Sequence, residues 1–225
     1  MYSEHNYILY EKLGEGTYGE VFRARCRKTN AIVALKRIRM DREQQGFPIT
    51  AIREITILKS LNHENIVHLR EVIAAIDKPI FYMVFEYVEH DLAGLLDAKV
   101  PFHEGQIKSL IKQLLLALRE CHRRKILHRD LKSSNLLITQ QGVLKLGDFG
   151  LSRFMREDKH RYTNRVITRW YRPPEVLLGA TDYTSKIDMW SVGCILGEMM
   201  IGGSKAMFPG KSDVHQLELI WKTCG

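Results

Sequence analysis

The chain has 225 residues, 45% apolar and 27% charged, which suits a globular core and excludes disorder as the main state. Its 34 Lys and Arg against 26 Asp and Glu give a formal charge of +8, which favours anionic partners without saying which kind. The four cysteines, Cys26, Cys121, Cys194 and Cys224, lie far apart with no C-x-x-C pair, so they support neither a zinc site nor a disulfide framework and suit a reducing compartment.

No apolar run approaches the roughly 18 residues needed to span a bilayer. The start, MYSEHNYILYEK, has neither a long apolar core nor an Arg-rich amphipathic stretch, so no targeting peptide is read there. In chain order, LYEKLGEGTYGEVFRARC predicts two short strands around a glycine-rich turn, and AIVALKRIRM a third. PITAIREITILKSL predicts a helix with Pro48 in its first turn and Ile52, Ile55, Leu58 and Leu61 on one face. IVHLREVIAAI and PIFYMVFEYV predict two more strands. After about Glu89 the pattern turns helical. Ile107, Leu110, Ile111, Leu114, Leu118 and Cys121 recur at helical spacing, which predicts a core helix. Small strands and loops follow, then a long polar stretch from Ser152 to Thr168; a loop of that length in a compact domain is usually functional. SKIDMWSVGCILGEMM is apolar on most faces and predicts a buried helix, with Met199 and Met200 as core filler. SDVHQLELIWKTCG predicts a last helix, cut off by the chain end. The whole is α+β: a small β-rich lobe over residues 1–88 and a mainly helical lobe over 89–225, with a ligand pocket expected at their interface.

The segment GEGTYGEV has the spacing G-x-G-x-x-G-x-V between two strands, with no helix following, which argues against a dinucleotide fingerprint. Gly14, Gly16 and Gly19 would let backbone amides approach phosphates, although a plain hairpin carries the same pattern. Lys36 in VALKRI has apolar neighbours, so its head is expected in a cleft where it needs an anion. Glu54 on the following helix is a candidate partner, or else a helix-surface glutamate. HRDLKSSN brings Asp130, Lys132 and Asn135 into one loop. Phosphoryl transfer needs such a set: a carboxylate to orient and deprotonate a hydroxyl, a cation to steady the moving phosphate, and an amide oxygen for a metal. Asp148, Phe149 and Gly150 form a D-F-G segment further on. Single motifs of this sort arise by chance; the ordered set does not. His122 and His128 read as structural histidines, and Arg119, Arg123, Arg124 and Lys125 as a solvated helix end that complements the helix dipole.

From Tyr7 to Gly225 these motifs resemble a eukaryotic protein kinase, and PITAIRE, DFGLSR and WYRPPE resemble the cyclin-dependent kinases. GFPITAIREI, MVFEYVEHDL and YTNRVITRWYRPPEVLLGA resemble their transcription-elongation branch. The resemblance implies a bilobal kinase fold, with an activation segment over residues 148–175 and a C-terminal lobe whose further helices would lie beyond Gly225. It implies ATP and Mg²⁺ as cofactors, and a cyclin and Ser/Thr-Pro proteins as partners, such as the C-terminal domain of RNA polymerase II. No direct nucleic-acid partner and no membrane are expected, and the nucleus is the implied location, with the cytoplasm a second one.

Residue by residue, the resemblance places Gly14, Gly16 and Gly19 over the ATP phosphates, held by Lys36 and braced by Glu54. Leu13, Val21, Ala34 and Leu137 would enclose adenine, with Phe85 as gatekeeper, Glu86 and Val88 offering hinge backbone groups, and Asp91 reaching the ribose. Asp130 would be the base and Lys132 its electrostatic partner, with Asn135 and Asp148 on Mg²⁺. Asp188 would steady the backbone of the H-R-D segment. Thr163 would be the activating phosphorylation site, clasped by Arg53, Arg129 and Arg153; without phosphate, those cations would repel and leave the segment mobile. Phosphate on Thr17 or Tyr18 would inhibit. A distorted backbone at Ile167, its carbonyl engaged by Arg172, would select proline after the phosphoacceptor.

Two features depart from the pattern. Arg169 stands where the family usually has an apolar residue, and should disfavour lysine-rich substrates. Glu175 would lack its usual arginine partner, which lies beyond Gly225 in the family. Three readings follow: an active kinase, a weakly active kinase-like module that binds a cyclin, and a cell-cycle rather than transcriptional member. Without a cyclin, Glu54 is expected not to be reliably paired with Lys36.

Overall fold

A computed structural model of the chain describes residues 6–16, 19–38, 47–75, 80–155, 162–203 and 205–225. Thr17, Tyr18 and Arg161 lie outside the described residues. The chain divides into two compact units, Met1–Asn62 with Val67–Tyr87, and His63–Ile66 with Val88–Gly225.

The first unit is a five-stranded antiparallel sheet with one helix. Strands β1 (Tyr7–Gly16), β2 (Gly19–Cys26), β3 (Ile32–Ile38), β4 (Leu69–Ala74) and β5 (Phe81–Glu86) pair in the order β1-β2-β3-β5-β4. Side chains alternate across a strand, so β3 buries Val33 and Leu35 in a core with Tyr7, Ala24, Cys26, Ile73, Tyr82 and Val84, while Lys36 stands on the other face. Helix α1 (Ile49–Ser60) starts after Pro48, which tolerates the missing N–H there. Its buried side meets the expected one in part: Leu58 and Leu61 are buried, Ile55 is half-buried and Ile52 faces solvent, while Ala51, Glu54 and Ile57 complete the inner face. The sequence assigned the stripe by hydrophobicity alone, and the charge of Glu54 hid its place on the inner face.

The second unit is mainly helical. Strand β6 (His90–Asp91) leads into α2 (Leu92–Asp97) and the long α3 (Glu104–Arg123), which buries Leu110, Leu114, Ala117, Leu118 and Cys121. Ile107 and Ile111 are only half-buried. Strand β7 (Ile126–Leu127), a 3₁₀ turn (Ser133–Asn135), and strands β8 (Leu136–Ile138), β9 (Leu144–Leu146) and β10 (Arg153–Phe154) follow, in two small sheets, β6-β8-β9 and β7-β10. A second 3₁₀ turn (Arg169–Tyr171) precedes α4 (Pro174–Leu177), α5 (Lys186–Ile201) and α6 (Asp213–Cys224), the last capped by the Ser212 hydroxyl on the His215 N–H at 3.1 Å. Helix α5 is not buried all round. Asp188, Ser191, Cys194, Ile195, Glu198 and Met199 are inside, but Met189, Met200 and Ile201 are exposed, so Met200 is not core filler. The buried side of α5 carries the polar residues that hold neighbouring loops.

Candidate active site

In the first unit, Lys36 Nζ lies 2.7 and 3.0 Å from the two Glu54 carboxylate oxygens. Their side chains are 13% and 4% exposed. The two groups thus form a close ion pair in this structure. Two charges removed from water have a strong reason to meet, since an unpaired one would be left poorly solvated. Arg53, its neighbour on α1, is half-buried.

Gly19 has φ +151°, and a Cβ there would stand 1.9 Å from the Arg37 carbonyl oxygen of the adjacent strand. Close backbone approach thus demands glycine at this position independently of any phosphate. No comparable crowding exists at Gly14, where a Cβ would meet nothing within 4 Å. Gly16 pairs with Gly19 across the hairpin. Ala34 pairs with Phe85 and Val21 with Lys36, so these residues share the β2-β3-β5 face or its register. Leu13 is exposed, Phe85 buried and Glu86 half-buried, with its carboxylate accepting from the His68 N–H at 2.8 Å.

In the second unit, Val88 and Leu137 are half-buried. Asp91 caps α2, accepting from the Gly94 N–H at 2.9 Å, a structural task that the sequence did not assign to it. The catalytic-loop residues converge on one carboxylate. Asp130 Oδ2 accepts from Lys132 Nζ at 3.0 Å, and Oδ1 from the Thr168 hydroxyl at 3.0 Å and the Thr168 N–H at 3.3 Å. Asn135 Nδ2 donates to the Asp130 carbonyl at 2.8 Å. Its amide nitrogen being committed, its amide oxygen is the atom left for another donor or a cation. Asp148 is exposed and holds a left-handed backbone, φ +53°.

The loop is held from within. Buried Asp188 accepts from the N–H groups of His128 (3.1 Å) and Arg129 (3.0 Å), and contacts His122 Nε2 at 2.8 Å. His128 Nε2 lies 3.0 Å from the Gly147 carbonyl, and its ring meets Phe149 edge-on at 4.9 Å. Both histidines are structural. At the helix end, Arg123 and Arg124 bind Glu120 and hold its carboxyl down to about 2.

Arg129 is buried with φ +67°. It donates to the Leu151 carbonyl at 2.9 Å and to the Tyr183 hydroxyl at 3.0 Å, while its guanidinium stands 5.7 Å from the centroid of the Tyr162 ring. Tyr162 and Tyr183 stack at 4.9 Å, and the Tyr183 hydroxyl donates to the Thr163 carbonyl at 2.8 Å. Burial pushes the Tyr183 hydroxyl pKa up. Arg153 donates to the Ser152 carbonyl at 2.8 Å. Thr163 is exposed, and its hydroxyl accepts from the Arg165 N–H at 3.2 Å. Tyr162 and Thr163 are thus tied to Arg129 through Tyr183 in this structure.

Ile167 is buried with φ +64°, a strained conformation for a β-branched residue. Its carbonyl accepts from Arg172 Nε at 3.2 Å and from a terminal nitrogen of Arg172 at 2.9 Å, and the Val166 carbonyl also accepts from Arg172 Nε, at 2.9 Å. Burial pulls the Arg172 pKa down. Arg169 does not stand loose either, because it donates to Asp213 at 2.9 Å. Glu175 is exposed. Behind the loop, the Tyr171 hydroxyl donates to Glu198 at 2.7 Å and contacts Ser133 Oγ at 3.0 Å; burial raises the pKa of both Tyr171 and Glu198. A cavity of about 250 Å³, bordered by Lys132, Ser133, Thr168, Tyr171 and Glu198, adjoins this network. Sequence reasoning missed Thr168, Tyr171, Tyr183 and Asp213. Only Thr168 carried a signal, a hydroxyl next to the strained Ile167.

The protein kinase domain family matches residues 7–223. The chain is 53% identical over 231 residues to cyclin-dependent kinase C-2 of Arabidopsis thaliana, covering 96% of this chain and 45% of that protein. It is 50% identical over 241 residues to the serine/threonine-protein kinase bur1 of Neurospora crassa (98% and 42%), and 51% over 228 residues to cyclin-dependent kinase 12 of Drosophila melanogaster (96% and 20%). The chain thus spans less than half the length of these relatives. Among the described residues no helix is long and apolar enough to cross a membrane. Carrying the lysine–glutamate pair, the H-R-D loop and the D-F-G segment within a match over nearly all of its length, the chain belongs to the protein kinase family.

Proposed function

We propose that the chain is the catalytic part of a cyclin-dependent serine/threonine kinase that transfers the γ-phosphate of ATP to Ser/Thr-Pro sites, acting in the nucleus on transcription. The observation that carries this reading is the Asp130 carboxylate, aimed by Lys132 and Thr168 in the loop that also holds Asn135. Asp130 accepts the proton of a substrate hydroxyl as that oxygen attacks phosphorus, and Lys132 balances the charge moving onto the transferred group. In the first unit, Lys36 binds nucleotide phosphates, oriented by Glu54, with Gly14, Gly16 and Gly19 supplying backbone amides. Leu13, Val21, Ala34, Phe85, Glu86, Val88 and Leu137 are assigned to the adenine, and Asp91 to the ribose.

The donor set at Asn135 and Asp148 is one amide oxygen and one carboxylate, which fits a hard divalent ion such as Mg²⁺. Among the described residues no group of three or more His, Cys, Asp or Glu side chains could hold a metal. An ion at Asn135 and Asp148 therefore needs further ligands, and nucleotide phosphate oxygens are suitable ones. When bound, the ion offsets the phosphates' negative charge.

Ile167 and Arg172 select proline. With the Ile167 carbonyl engaged by Arg172, a substrate N–H after the phosphoacceptor finds no acceptor there, and proline has none to satisfy. An unmade buried hydrogen bond costs about 1–3 kcal/mol, or roughly 5- to 150-fold in discrimination. Phosphate on Thr163, read by Arg53, Arg129 and Arg153, and a cyclin on α1 complete activation. The names of the relatives support a cyclin partner and a transcriptional role. The experiment is ATP-dependent phosphorylation of Ser-Pro and Ser-Ala peptides, with and without an added cyclin. Cyclin-stimulated turnover confined to Ser-Pro peptides is the expected result; equal rates on both would refute the proline argument.

A further inference from the structure

Two guanidinium groups share one carboxylate oxygen at the start of α6. Arg169 Nε donates to Asp213 Oδ1 at 2.9 Å, and a terminal nitrogen of Arg172 lies 3.3 Å from the same oxygen. A second Arg169 nitrogen donates to the Lys211 carbonyl at 3.2 Å. The neighbouring turn is fixed as well: Trp170 Nε1 donates to the Gly210 carbonyl at 3.3 Å, and Gln216 to the Trp170 carbonyl at 3.3 Å. Arg169 is therefore held in place, yet 43% exposed, and two of its five N–H donors account for its described bonds.

The local charge does not balance. Arg169, Arg172 and Lys211 lie within one short stretch and its partner turn, against the single carboxylate of Asp213. Burial pulls the Arg172 pKa down, Asp213 opposes that, and Arg169 adds a smaller push in the same direction as burial. Arg172 also holds the Ile167 carbonyl, the feature assigned above to the residue after the phosphoacceptor. Arg169 follows Thr168, which bonds Asp130, but its side chain runs to α6, on the Arg172 side and away from the carboxylate. A substrate that places its hydroxyl at Asp130 and its proline at Ile167 would carry its next residues past Arg169.

We propose that Arg169, locked by Asp213, is a specificity-determining residue that selects an anionic side chain, carboxylate or phosphate, within two residues after the proline of the substrate. This rests on the Ser/Thr-Pro kinase reading and adds a second element of recognition to it. A planar guanidinium with donors to spare is suited to either anion through paired N–H bonds.

The test uses the chain together with its activating cyclin, and fluorescent Ser-Pro peptides that differ at the two positions after proline: alanine, glutamate, phosphoserine or lysine. Dissociation constants by fluorescence anisotropy and KM by phosphate transfer are measured for the native chain, Arg169→Leu and Arg169→Lys. The glutamate and phosphoserine peptides are expected to bind about 5- to 10-fold tighter than alanine, and lysine to bind weaker, with the ratios shrinking as salt is raised. Arg169→Leu is expected to bring the ratios to within about 2-fold, and Arg169→Lys to keep part of them. Equal binding of all four peptides by the native chain, or ratios that survive Arg169→Leu, would overturn the proposal. Unequal binding without phosphate transfer would sink the kinase reading and leave this one standing. Transfer at equal rates with equal binding would do the reverse. Should Arg169→Leu fold poorly, the ratios of the native chain and their salt dependence decide the matter by themselves.

Discussion

Lys36 and Asp130, the two charges assigned most of the chemistry, are held by opposite means. Lys36 is paired with Glu54, which comes from a helix, a separate element from the strand that carries the lysine. Asp130 is bound by Lys132 and twice by Thr168, while Asn135 fixes its backbone and Asp188 fixes the two residues before it. The first arrangement can be made or broken by moving one helix, so it suits a contact under outside control. The second would need several bonds to fail together, so it suits a group that must always point the same way. The adjustable and the constant parts of the machinery thus differ in where the partner comes from, a separate helix for Lys36 and the catalytic loop with the segment after Ile167 for Asp130.

The largest effect should come from the constant part. Asp130→Asn is expected to lower kcat by about 10²- to 10⁴-fold while nucleotide affinity stays nearly native, whereas Asp148→Asn should lose nucleotide affinity in the presence of Mg²⁺ as well. Calorimetric titration with Mg²⁺–nucleotide beside steady-state rates separates the two, and an equal loss of affinity in both would break the division of roles. Next, Lys36→Met should destabilise the first unit by about 3–5 kcal/mol, because Glu54 is left buried without its partner. Lys132→Met, removing a better solvated lysine from a carboxylate that keeps its two Thr168 bonds, should cost less than Lys36→Met. Urea unfolding of both variants sharpens the comparison, and equal losses would contradict it.

Gly19→Ala should cost about 1–3 kcal/mol by urea unfolding, because its Cβ would press on the Arg37 carbonyl, while Gly14→Ala should be tolerated. Tyr183→Phe keeps the ring stack but removes the hydroxyl that joins Arg129 to Thr163, and should cost about 1–2 kcal/mol. A proteolysis assay should then find cleavage near Thr163 accelerated. The smallest effect is at the end of α3. Glu120, held down to about 2 by Arg123 and Arg124, contributes stability that is fully present above the ordinary carboxylate range and is lost as pH falls towards 2. Replacing both arginines by alanine should flatten that acid limb and change stability little at pH 7, as thermal melts across pH would record.

Much of this was legible in the sequence. Alternation in AIVALKRI gave β3, and the helical spacing of Leu110, Leu114, Leu118 and Cys121 gave the inner face of α3. The residues around Asp130 were identifiable because the chemistry needs those types in that order. What stayed hidden was whatever depends on partners far along the chain. Nothing local to Tyr183 or Asp213 announces that one ties Arg129 to Thr163 and the other gathers two arginines. The burial of the Lys36–Glu54 pair was also out of reach, since periodicity says nothing about buried charge. Ile52 went astray for a related reason, because an apolar residue on a helix reads as inward until the competing face is seen to hold Glu54.

Arg129, Asp148 and Ile167 hold left-handed backbone, and each sits within or beside the proposed chemistry. For a residue with a Cβ that conformation costs about 1–2 kcal/mol, which glycine would avoid. Buried Arg129 and Ile167 offset that cost with the bonds and packing that glycine would forfeit, but exposed Asp148 does not. A library of variants screened only for heat resistance would therefore be drawn toward glycine at Asp148, relieving strain while deleting the carboxylate assigned to the metal. Selection for thermal tolerance and selection for turnover should diverge first at that codon, and a directed-evolution campaign on this chain should keep it fixed.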